Sequence, residues 1–371
     1  MVIKYCQKQR YSTTNKALFM TEDLNLQLNI TQLILIGLSK DQYYQKEMLK
    51  KEKILVLGGS GFIGTNLLKK LRNKGYLNLT ATYYSKKKFY KVKNVNYVKI
   101  DALNIEHTEK VTKNKNVIFI LSANSSGAAI IEKNPLIHLN PNVRMNMNIL
   151  ESAYKNKVKK VIFISSNTVY PNSKKKMKEK DINYKFFSKY HIVGWMKIFS
   201  EALCEIYANK IKNPFKNMII VRPGNLYGPF DKFSYKKSKV IAATIRKFEE
   251  NKKKVIVWGN GRDIKDFMYI DDFCEALIKI SQTKLNFELI NICSGNSIEL
   301  KKIINYCADI FKFNKKNIFY DISKPSMIPM RYMSNQKLKT NYKFKVNTDI
   351  AKGLKKTIAW YKKNKKIYNN Y

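Results

Sequence analysis

A glycine-rich junction at residues 53–64 constrains the fold of this chain more than any other stretch. The four apolar residues 54–57 predict a short buried parallel strand, and a helix is predicted to begin near Phe62. Gly58, Gly61 and Gly64 have the spacing G-x-x-G-x-x-G. In such a motif the first glycine permits a tight turn, the second lets a pyrophosphate approach bare backbone, and the third lets helix pack closely on strand. At a strand-to-helix junction the motif predicts a dinucleotide site, with the phosphates at the helix N-terminus, rather than a simple turn.

Strands and helices are predicted to alternate after this junction, which is typical of a doubly wound parallel sheet. The strands are predicted at residues 54–57, 79–84, 95–100, 117–121, 161–164 and 218–221, and the helices at 62–74, 142–155 and 194–209. After residues 222–229 the alternation loosens. We therefore predict an α/β fold, a Rossmann-type sheet over residues 48–225 with a smaller substrate-binding lobe over 226–371 and some interleaving of the two. Ligands bind such folds at the carboxyl edge of the sheet.

Residues 1–47 precede the first predicted strand and contain no glycine-rich or catalytic pattern. Their basic, hydroxyl-rich opening loosely resembles a transit peptide. Met48 stands where a domain beginning with this strand would start. An N-terminal extension or an upstream start codon is therefore favoured over a targeting segment.

The chain is strongly basic, with 71 Lys and Arg against 27 Asp and Glu and a formal net charge of +44. The lysines are scattered through predicted strands, helices and loops, which indicates a solvated basic surface. Nucleic-acid binding is not expected, because no basic face carries interleaved aromatic residues. No apolar run approaches the roughly 20 residues of a membrane span, so no membrane association is expected. The excess charge suits an anionic ligand such as a nucleotide.

The cysteines and histidines favour a cytoplasmic protein without a metal centre. Five cysteines, an odd number, lie far apart and lack C-x-x-C spacing, which indicates a reducing compartment rather than a disulfide framework or a zinc site. The three histidines are too scattered to form a metal cluster.

The end of the second predicted strand bears on the choice of cofactor. NAD-selective Rossmann sites usually have an acidic residue there, which binds the ribose 2′-hydroxyl. Here the strand leads into Ser85 and Lys86, so the expected acid is missing. A serine and lysines suit a 2′-phosphate and favour NADP over NAD, unless these lysines are simply surface charge. Asp101, at the end of the third strand, is expected to meet the adenine.

Several motifs resemble those of the extended short-chain dehydrogenase/reductase superfamily, the nucleotide-sugar epimerases and dehydratases, from Lys53 to the C-terminus. They are Gly-Gly-Ser-Gly-Phe-Ile-Gly, the Ser-Ser-Asn-Thr-Val-Tyr-Pro stretch at 165–171, and residues 222–229. Within the superfamily, residues 238–248, 257–261 and 265–272 resemble the GDP-L-fucose synthases. The resemblance implies that NAD(P) contacts a set of residues spread along the sheet edge: Gly58, Gly61, Phe62, Ile63, Gly64, Ser85, Lys86, Asp101, Ala102, Ala123, Lys197 and Pro223.

In this superfamily a Ser or Thr, a Tyr and a Lys act at the nicotinamide. The phenol exchanges a proton with the sugar oxygen, the lysine holds the ribose and lowers the phenol's pKa, and the hydroxyl orients the sugar oxygen. The resemblance places Ser166 at the serine position. An acid normally follows the lysine by four residues, so Glu201 makes Lys197 the lysine and puts Val193 where the tyrosine should be.

Valine has no proton to give, so another group must reach the same point or the usual acid/base is missing. Tyr190, about one helical turn upstream, is a candidate, although aromatic packing at the helix start is the favoured interpretation. The resemblance also predicts a cysteine where Thr168 stands and a histidine where Lys239 stands. Threonine is too weak an acid for the role, and lysine would need desolvation to lower its pKa.

The substrate side matches the superfamily better. The resemblance implies that Asn225, Lys247, Trp258 and Lys265 surround the nucleotide diphosphate and base, and Lys239 is counted among the substrate-binding residues. Arg331 is a plausible further phosphate ligand, because a guanidinium can bind phosphate through two donors. Solvated lysines and a core-packed tryptophan remain open as alternatives.

The sequence therefore predicts an NAD(P)-dependent epimerase/reductase or dehydratase. Its substrate would be an NDP-linked deoxyhexose, possibly GDP-linked, in polysaccharide or glycolipid synthesis. The resemblance also implies a homodimer formed through the helices that contain Asn148 and Leu203. A different hypothesis, a redox-inactive or regulatory dinucleotide-binding protein, is favoured by Val193, Thr168 and Lys239.

Overall fold

The computed structural model describes residues 50–85, 89–124, 134, 136–235, 237–251, 253–324 and 328–368. The chain divides into two compact units, Met1–Lys51 and Glu52–Tyr371, and every strand and helix described here lies in the second. The strands are β1 (Ile54–Leu57), β2 (Leu79–Tyr83), β3 (Asn96–Lys99), β4 (Val117–Ile120), β5 (Lys160–Ile164), β6 (Ser173–Met177), β7 (Asn217–Pro223), β8 (Asn225–Tyr227), β9 (Val255–Trp258), β10 (Ile264–Tyr269), β11 (Phe287–Ile292), β12 (Ser297–Glu299), β13 (Ile318–Asp321) and β14 (Met330–Met333).

The helices are α1 (Phe62–Asn73), α2 (Ile105–Thr112), α3 (Leu136–Lys155), α4 (His191–Asn209), α5 (Val240–Glu250), α6 (Ile270–Ser281), α7 (Leu300–Phe311), α8 (Gln336–Tyr342) and α9 (Ile350–Tyr368). Short 3-10 turns occur at Asn167–Val169, Ser188–Tyr190 and Lys315–Asn317.

A sheet of seven parallel strands, in the order β11-β7-β5-β4-β1-β2-β3, confirms the predicted Rossmann-type fold. The central strands β1, β4 and β5 are buried along their whole length, which explains why they are apolar at every position except Lys160 at the start of β5. The strand order reverses between β1 and β4. Such a switch point opens a crevice at the carboxyl ends of the strands, and this is where ligands bind in open α/β sheets.

The predicted strands of this sheet are found within two residues of their predicted ends. The largest extension is in β7, predicted at residues 218–221 and observed at Asn217–Pro223. The seventh strand, β11, comes from the later part of the chain and pairs with β7 over six positions.

Two helices begin earlier than predicted. Helix α3, predicted from residue 142, begins at Leu136, so Pro141, which has no backbone N–H to donate, lies inside it. The carbonyl of Ile137, which lies four residues before Pro141, accepts instead from Asn124 Nδ2 at 3.0 Å. This side-chain bond satisfies the carbonyl and lets the helix continue. Helix α4 begins at His191 rather than at Gly194.

Helix α2 was not predicted. Its N-cap is Asn104, whose side chain accepts a hydrogen bond from the amide of His107 at 3.2 Å. Its buried face is held against α3 by a 2.7 Å hydrogen bond between the hydroxyls of Thr108 and Ser152. With only eight residues and few apolar positions, this helix depends on tertiary contacts rather than on its own sequence pattern.

A smaller mixed sheet is formed mainly by strands from the later part of the chain. Its order is β12-β10-β14-β6, and β8 also pairs with β10. Strands β9 and β13 form a separate parallel pair. Helices α5, α7 and α9 bury a core against these strands that includes Ile245, Phe248, Ile304, Leu354 and Tyr361.

Four cysteines, Cys204, Cys274, Cys293 and Cys307, are buried and unpaired, and Cys6 lies outside the described residues. Among the described residues, no three His, Cys, Asp or Glu side chains come together as a metal site. None of the described helices combines the length and the apolar character that crossing a bilayer requires.

Candidate active site

The glycine loop between β1 and α1 has no room for side chains at its first and last motif glycines. Gly58 has φ +82°, and a Cβ there would lie 2.8 Å from the backbone nitrogen of Ser122. A Cβ on Gly64 would lie 2.4 Å from the Gly58 carbonyl oxygen. Gly61 is the N-cap of α1, so Phe62 and Ile63 form its first turn. The loop therefore presents bare backbone at a helix N-terminus, which is the arrangement that binds a pyrophosphate.

The end of β2 supports this loop through a residue that sequence analysis missed. The hydroxyl of Thr82 accepts a hydrogen bond from the Gly58 amide at 3.0 Å. Ser85, three residues further on, is exposed, and Lys86 lies outside the described residues. Asp101 follows β3 and its carboxylate accepts from the Leu103 amide at 2.9 Å, which fixes the turn at the buried Ala102.

The expected cofactor and catalytic residues lie at one edge of the central sheet. Gly58 follows β1, Ala123 follows β4, Ser166 follows β5 and Pro223 ends β7. Because these strands are parallel, their carboxyl ends meet at the same edge. The tertiary structure thus brings together residues that are more than 160 positions apart in the sequence.

Ser166 is the N-cap of the 3-10 turn that follows β5. Its hydroxyl oxygen accepts a hydrogen bond from the Thr168 amide at 3.1 Å, which leaves its own proton available to a ligand. The Thr168 hydroxyl is buried and has no hydrogen-bond partner in the described part of the chain. This turn therefore offers two hydroxyl groups for a polar ligand.

Lys197 projects from α4 to the end of β5. Its Nζ donates to the Ile164 carbonyl at 2.9 Å and lies 4.9 Å from the centroid of the Phe163 ring. Burial lowers the pKa of Lys197 to about 8. Ile164 lies two residues before Ser166, so the ammonium and the serine hydroxyl belong to the same end of one strand.

A buried polar network underlies this strand end. Glu201 accepts from the Ser165 hydroxyl and pairs with Arg222 of β7 at 2.5 Å. Arg222 also donates to the Tyr170 hydroxyl at 3.0 Å, and that hydroxyl donates to Asn291 of β11 at 2.7 Å. From the sequence, Glu201 served only to identify Lys197 as the lysine of the catalytic motif. In the fold it fixes β5, α4 and β7 relative to one another.

Val193 lies in the first turn of α4, four residues before Lys197, and is half-buried. Tyr190 directly precedes the helix, and the Arg331 guanidinium carbon lies 5.2 Å from its ring centroid. Burial raises the pKa of Tyr190, and the charge of Arg331 opposes that shift, so the phenol stays protonated at neutral pH. Its hydroxyl has no hydrogen-bond partner among the described residues.

Arg331 is 4% exposed and joins the smaller sheet to the Ser166 turn. Its Nη1 donates to Asn167 Oδ1 at 2.6 Å, whereas Nε and Nη2 are buried and have no partner in the described chain. Lys265 is its register neighbour on β10 and pairs with Asp263 at 2.7 Å. Of these two cations, Arg331 is the one that has no counterion within the described ranges of the chain.

The remaining predicted substrate residues lie on different elements. The side chain of Asn225 in β8 donates to the Asp266 carbonyl at 2.9 Å. Lys247 of α5 lies 5.3 Å from the Trp258 ring centroid, and Trp258 is 56% exposed, which excludes the core-packing interpretation of this residue. Lys239 is exposed at the N-cap of α5 and shares no hydrogen bond with Thr168 within the described chain.

These residues fit an NAD(P) molecule. The glycine loop is a cradle that any Cβ would fill, and the buried Ser122 hydroxyl beside it has no partner in the described chain. Lys197 supplies a desolvated cation at the same sheet edge. Bare amides, an unpaired hydroxyl and a cation are the donors that a dinucleotide with a pyrophosphate and two riboses requires.

Solved structures share this architecture. UDP-glucose 4-epimerase from Thermotoga maritima, in complex with UDP-glucose, superposes with a TM-score of 0.74 over 84% of this chain and 99% of its own, at 24% identity. dTDP-glucose 4,6-dehydratase from Bacillus anthracis, in complex with NAD, gives a TM-score of 0.71 over 85% and 98%, at 21% identity. At these identities the likeness demonstrates a common fold.

Sequence comparison gives the family. GDP-L-fucose synthase 1 of Arabidopsis thaliana is 25% identical over 325 residues, which are 85% of this chain and 94% of that protein. The model of the NAD dependent epimerase/dehydratase family matches residues 54–293, from β1 to the end of β11 and more than half of the chain. The chain therefore belongs to the NAD dependent epimerase/dehydratase family, within the extended short-chain dehydrogenases/reductases.

Proposed function

We propose that this protein is an NAD(P)-dependent nucleotide-sugar epimerase/reductase or dehydratase that acts on an NDP-linked deoxyhexose in polysaccharide or glycolipid synthesis. The observation that carries the proposal is the hydrogen bond from the Lys197 ammonium to the carbonyl of Ile164, which lies two residues before Ser166. A GDP-linked sugar is the first candidate, because the similar Arabidopsis protein is a GDP-L-fucose synthase.

The cofactor would lie along the carboxyl edge of the central sheet, held by the glycine loop, Asp101, Ala123, Lys197 and Pro223. When bound, its nicotinamide supplies or accepts a hydride at a sugar carbon. NADP is proposed over NAD, because no acidic residue follows β2 to bind a ribose 2′-hydroxyl.

The Ser166 hydroxyl is proposed to donate a hydrogen bond to the reacting sugar oxygen and so to orient it. Tyr190 is proposed to exchange the proton, since Val193 cannot. Its phenol is protonated at neutral pH, and the nearby Arg331 charge stabilises the phenolate that remains after proton donation. The Thr168 hydroxyl, which has no partner in the described chain, can bind the sugar, but it is too weak an acid and too weak a base to exchange a proton with carbon.

The substrate nucleotide is proposed to lie between the turn at Ser166 and the smaller sheet. Arg331 and Lys265 supply the positive charge for the diphosphate, and Lys247 and Trp258 supply a cation and an exposed ring for the base. Asn225 and Lys239 are proposed to contact the remainder of the substrate.

A homodimer is proposed through α3 and α4, the helices that contain Asn148 and Leu203. Support comes from a groove of about 430 Å³ between them, lined by Leu139, Asn140, Val143, Arg144, Trp195, Met196 and Phe199. Trp195 and Phe199 are each 45% exposed, a large apolar area for a surface that stays in water. A second copy of the same two helices would cover it.

A second candidate function is a dinucleotide-binding protein with altered or lost chemistry and a regulatory role. It is favoured by Val193, which leaves the usual proton donor absent from α4. It predicts cofactor binding without turnover.

The test is the change in NADPH and NADH absorbance with a panel of GDP-linked keto-deoxyhexoses. Turnover that Tyr190→Phe lowers by roughly 10²- to 10⁴-fold supports the enzyme and its proton donor. Tyr184→Phe is the matched control, because Tyr184 is exposed and stacks on Trp195. Bound dinucleotide without turnover on any sugar supports the second candidate, and failure to bind any dinucleotide contradicts both.

A further inference from the structure

The parallel pair β9 and β13 presents an exposed face that carries both aromatic and charged groups. Trp258 and Asp321 are register partners at the carboxyl ends of the two strands, so their side chains lie side by side on one face. Ile256 and Phe319, the partners two positions earlier, are 44% and 48% exposed on that same face. The Trp258 ring and the Asp321 carboxylate are thus neighbours on a face that is open to solvent.

Lys247 completes this cluster. Its Nζ donates to the Ile256 carbonyl at 2.8 Å, lies 5.3 Å from the Trp258 ring centroid and interacts electrostatically with Asp321. An ammonium has three N–H donors, so two remain available for a ligand.

The Asp321 carboxylate is oriented by the following turn. Its Oδ1 accepts from the amide of Ser323 at 3.1 Å and from the hydroxyl of Ser323 at 2.6 Å. These hydrogen bonds lower the pKa of Asp321, so it is ionised at neutral pH. Oδ2 has no hydrogen-bond partner in the described chain and keeps both of its lone pairs for a donor.

We propose that Asp321 selects guanine as the base of the substrate nucleotide, an inference that rests on the proposed function. Guanine carries adjacent N1–H and N2–H donors on one edge and the O6 and N7 acceptors on another. Asp321 Oδ2 receives the N–H donors, the Lys247 ammonium binds the acceptor edge, and the exposed Trp258 ring stacks on the base.

The other bases match this cluster less well. Uracil and thymine flank their single N–H with two carbonyl oxygens, and adenine places a ring acceptor beside its amino group. Each would bring a lone pair against the Asp321 carboxylate. A site that hydrogen-bonds a specific donor rejects analogues that lack it, because its own polar group is left unpaired.

Short chain segments connect this cluster to the cations proposed for the diphosphate. From Trp258 the chain runs through residues 259–263 into β10 with Lys265, and from Asp321 it runs into β14 with Arg331. Lys265 and Arg331 are themselves register partners. Each of the two chain segments therefore leads from a residue proposed to bind the base to a residue proposed to bind the phosphates.

The test is isothermal titration of the full chain with GDP, IDP and UDP, where IDP differs from GDP only by the missing N2 amino group. Wild type is expected to bind GDP at least about tenfold more tightly than IDP, the discrimination expected of one hydrogen bond to a charged group. Asp321→Asn is expected to lose this preference while it keeps its affinity for IDP. Asp309→Asn, which removes an exposed carboxylate on α7, is expected to keep the preference.

A second pair of variants tests the lysine. Lys247→Met is expected to weaken GDP binding several-fold. Lys254→Met, which removes the ammonium 4.5 Å from the Phe319 ring on the same strand pair, is expected to leave GDP binding unchanged.

Equal affinity of the wild type for GDP, IDP and UDP would overturn guanine selection and leave the proposed nucleotide-sugar function standing. Retention of the GDP preference by Asp321→Asn would overturn the role of Asp321. Failure of the wild type to bind any nucleoside diphosphate would contradict both this inference and the proposed function.

Discussion

Arg331 Nη1 donates to Asn167 Oδ1 at 2.6 Å, across 164 positions of the sequence. This bond ties the smaller sheet to the turn that carries Ser166 and Thr168. The other two nitrogens of the same guanidinium, Nε and Nη2, are buried without a partner in the described chain. On a guanidinium these two groups form one edge that binds an oxyanion through two parallel hydrogen bonds. Arg331 is therefore a desolvated cation with one edge of its guanidinium open to an anion.

Arg331→Met is expected to leave the free energy of unfolding within about 1 kcal/mol of wild type, or to raise it, because a buried charge without a counterion costs stability. The same variant is expected to bind nucleoside diphosphates at least about tenfold more weakly. Urea denaturation and isothermal titration measure the two effects.

Arg222→Met is the matched control, since Arg222 is equally buried but paired with Glu201. It is expected to lower the free energy of unfolding by about 3–5 kcal/mol, because Glu201 is left as an uncompensated buried charge. Similar destabilisation by both substitutions would contradict the view that Arg331 is a binding residue.

Gly58→Ala is expected to abolish dinucleotide binding and to lower the free energy of unfolding by at least about 1–2 kcal/mol, since φ +82° is unfavourable for alanine. Its Cβ would also meet the Ser122 backbone. Gly75→Ala carries similar backbone strain at φ +83°, outside the glycine loop, and is expected to keep dinucleotide binding. Fluorescence titration with NADPH distinguishes the two variants, and equal loss in both would mean that strain alone explains the effect.

Lys197 is expected to make stability depend on pH. Its pKa is about 8 in the folded protein, against 10.5 as the ordinary value, so between these pH values the unfolded chain binds more protons and the free energy of unfolding rises with pH. Lys197→Met lacks this rise. The variant is therefore expected to be more stable than wild type at pH 7, by up to roughly 3 kcal/mol, with the gap closing towards pH 10.5.

The contribution of Lys160, whose burial also lowers its pKa to about 8, is present in both proteins and cancels. Lys212→Met, at an exposed position, is expected to follow the wild-type pH profile. Parallel profiles of wild type and Lys197→Met would show that Lys197 is not desolvated.

Phe199→Glu is expected to convert a dimer into a monomer, because it places a charge on the apolar face of α3 and α4. Light scattering after size-exclusion chromatography measures the mass. Leu77→Glu, at a position that is 60% exposed outside this face, is expected to remain dimeric. A monomeric wild type at micromolar concentration would contradict the proposed interface.

The sequence predicted the central fold because its evidence is local. Four apolar residues followed by Gly58, Gly61 and Gly64 encode a buried strand, a tight turn and a helix start within twelve positions. The start of α3 was harder to predict, because Pro141 cannot donate to the Ile137 carbonyl. The Asn124 side chain donates to that carbonyl instead, and it lies 13 positions away in the sequence and outside any periodic pattern.

The candidate site also has a part that the sequence predicts and a part that only the tertiary structure shows. The sequence alone determined the glycine loop. The family resemblance of its short motifs, which have fixed spacing, predicted the roles of Ser166 and Lys197 and the missing tyrosine at Val193. Only the tertiary structure decided that Thr82 holds the glycine loop, that Arg331 reaches Asn167, and that Asp321 stands beside Trp258. Side chains from separate strands become neighbours only when parallel strands pair in register, and strand pairing depends on the whole fold.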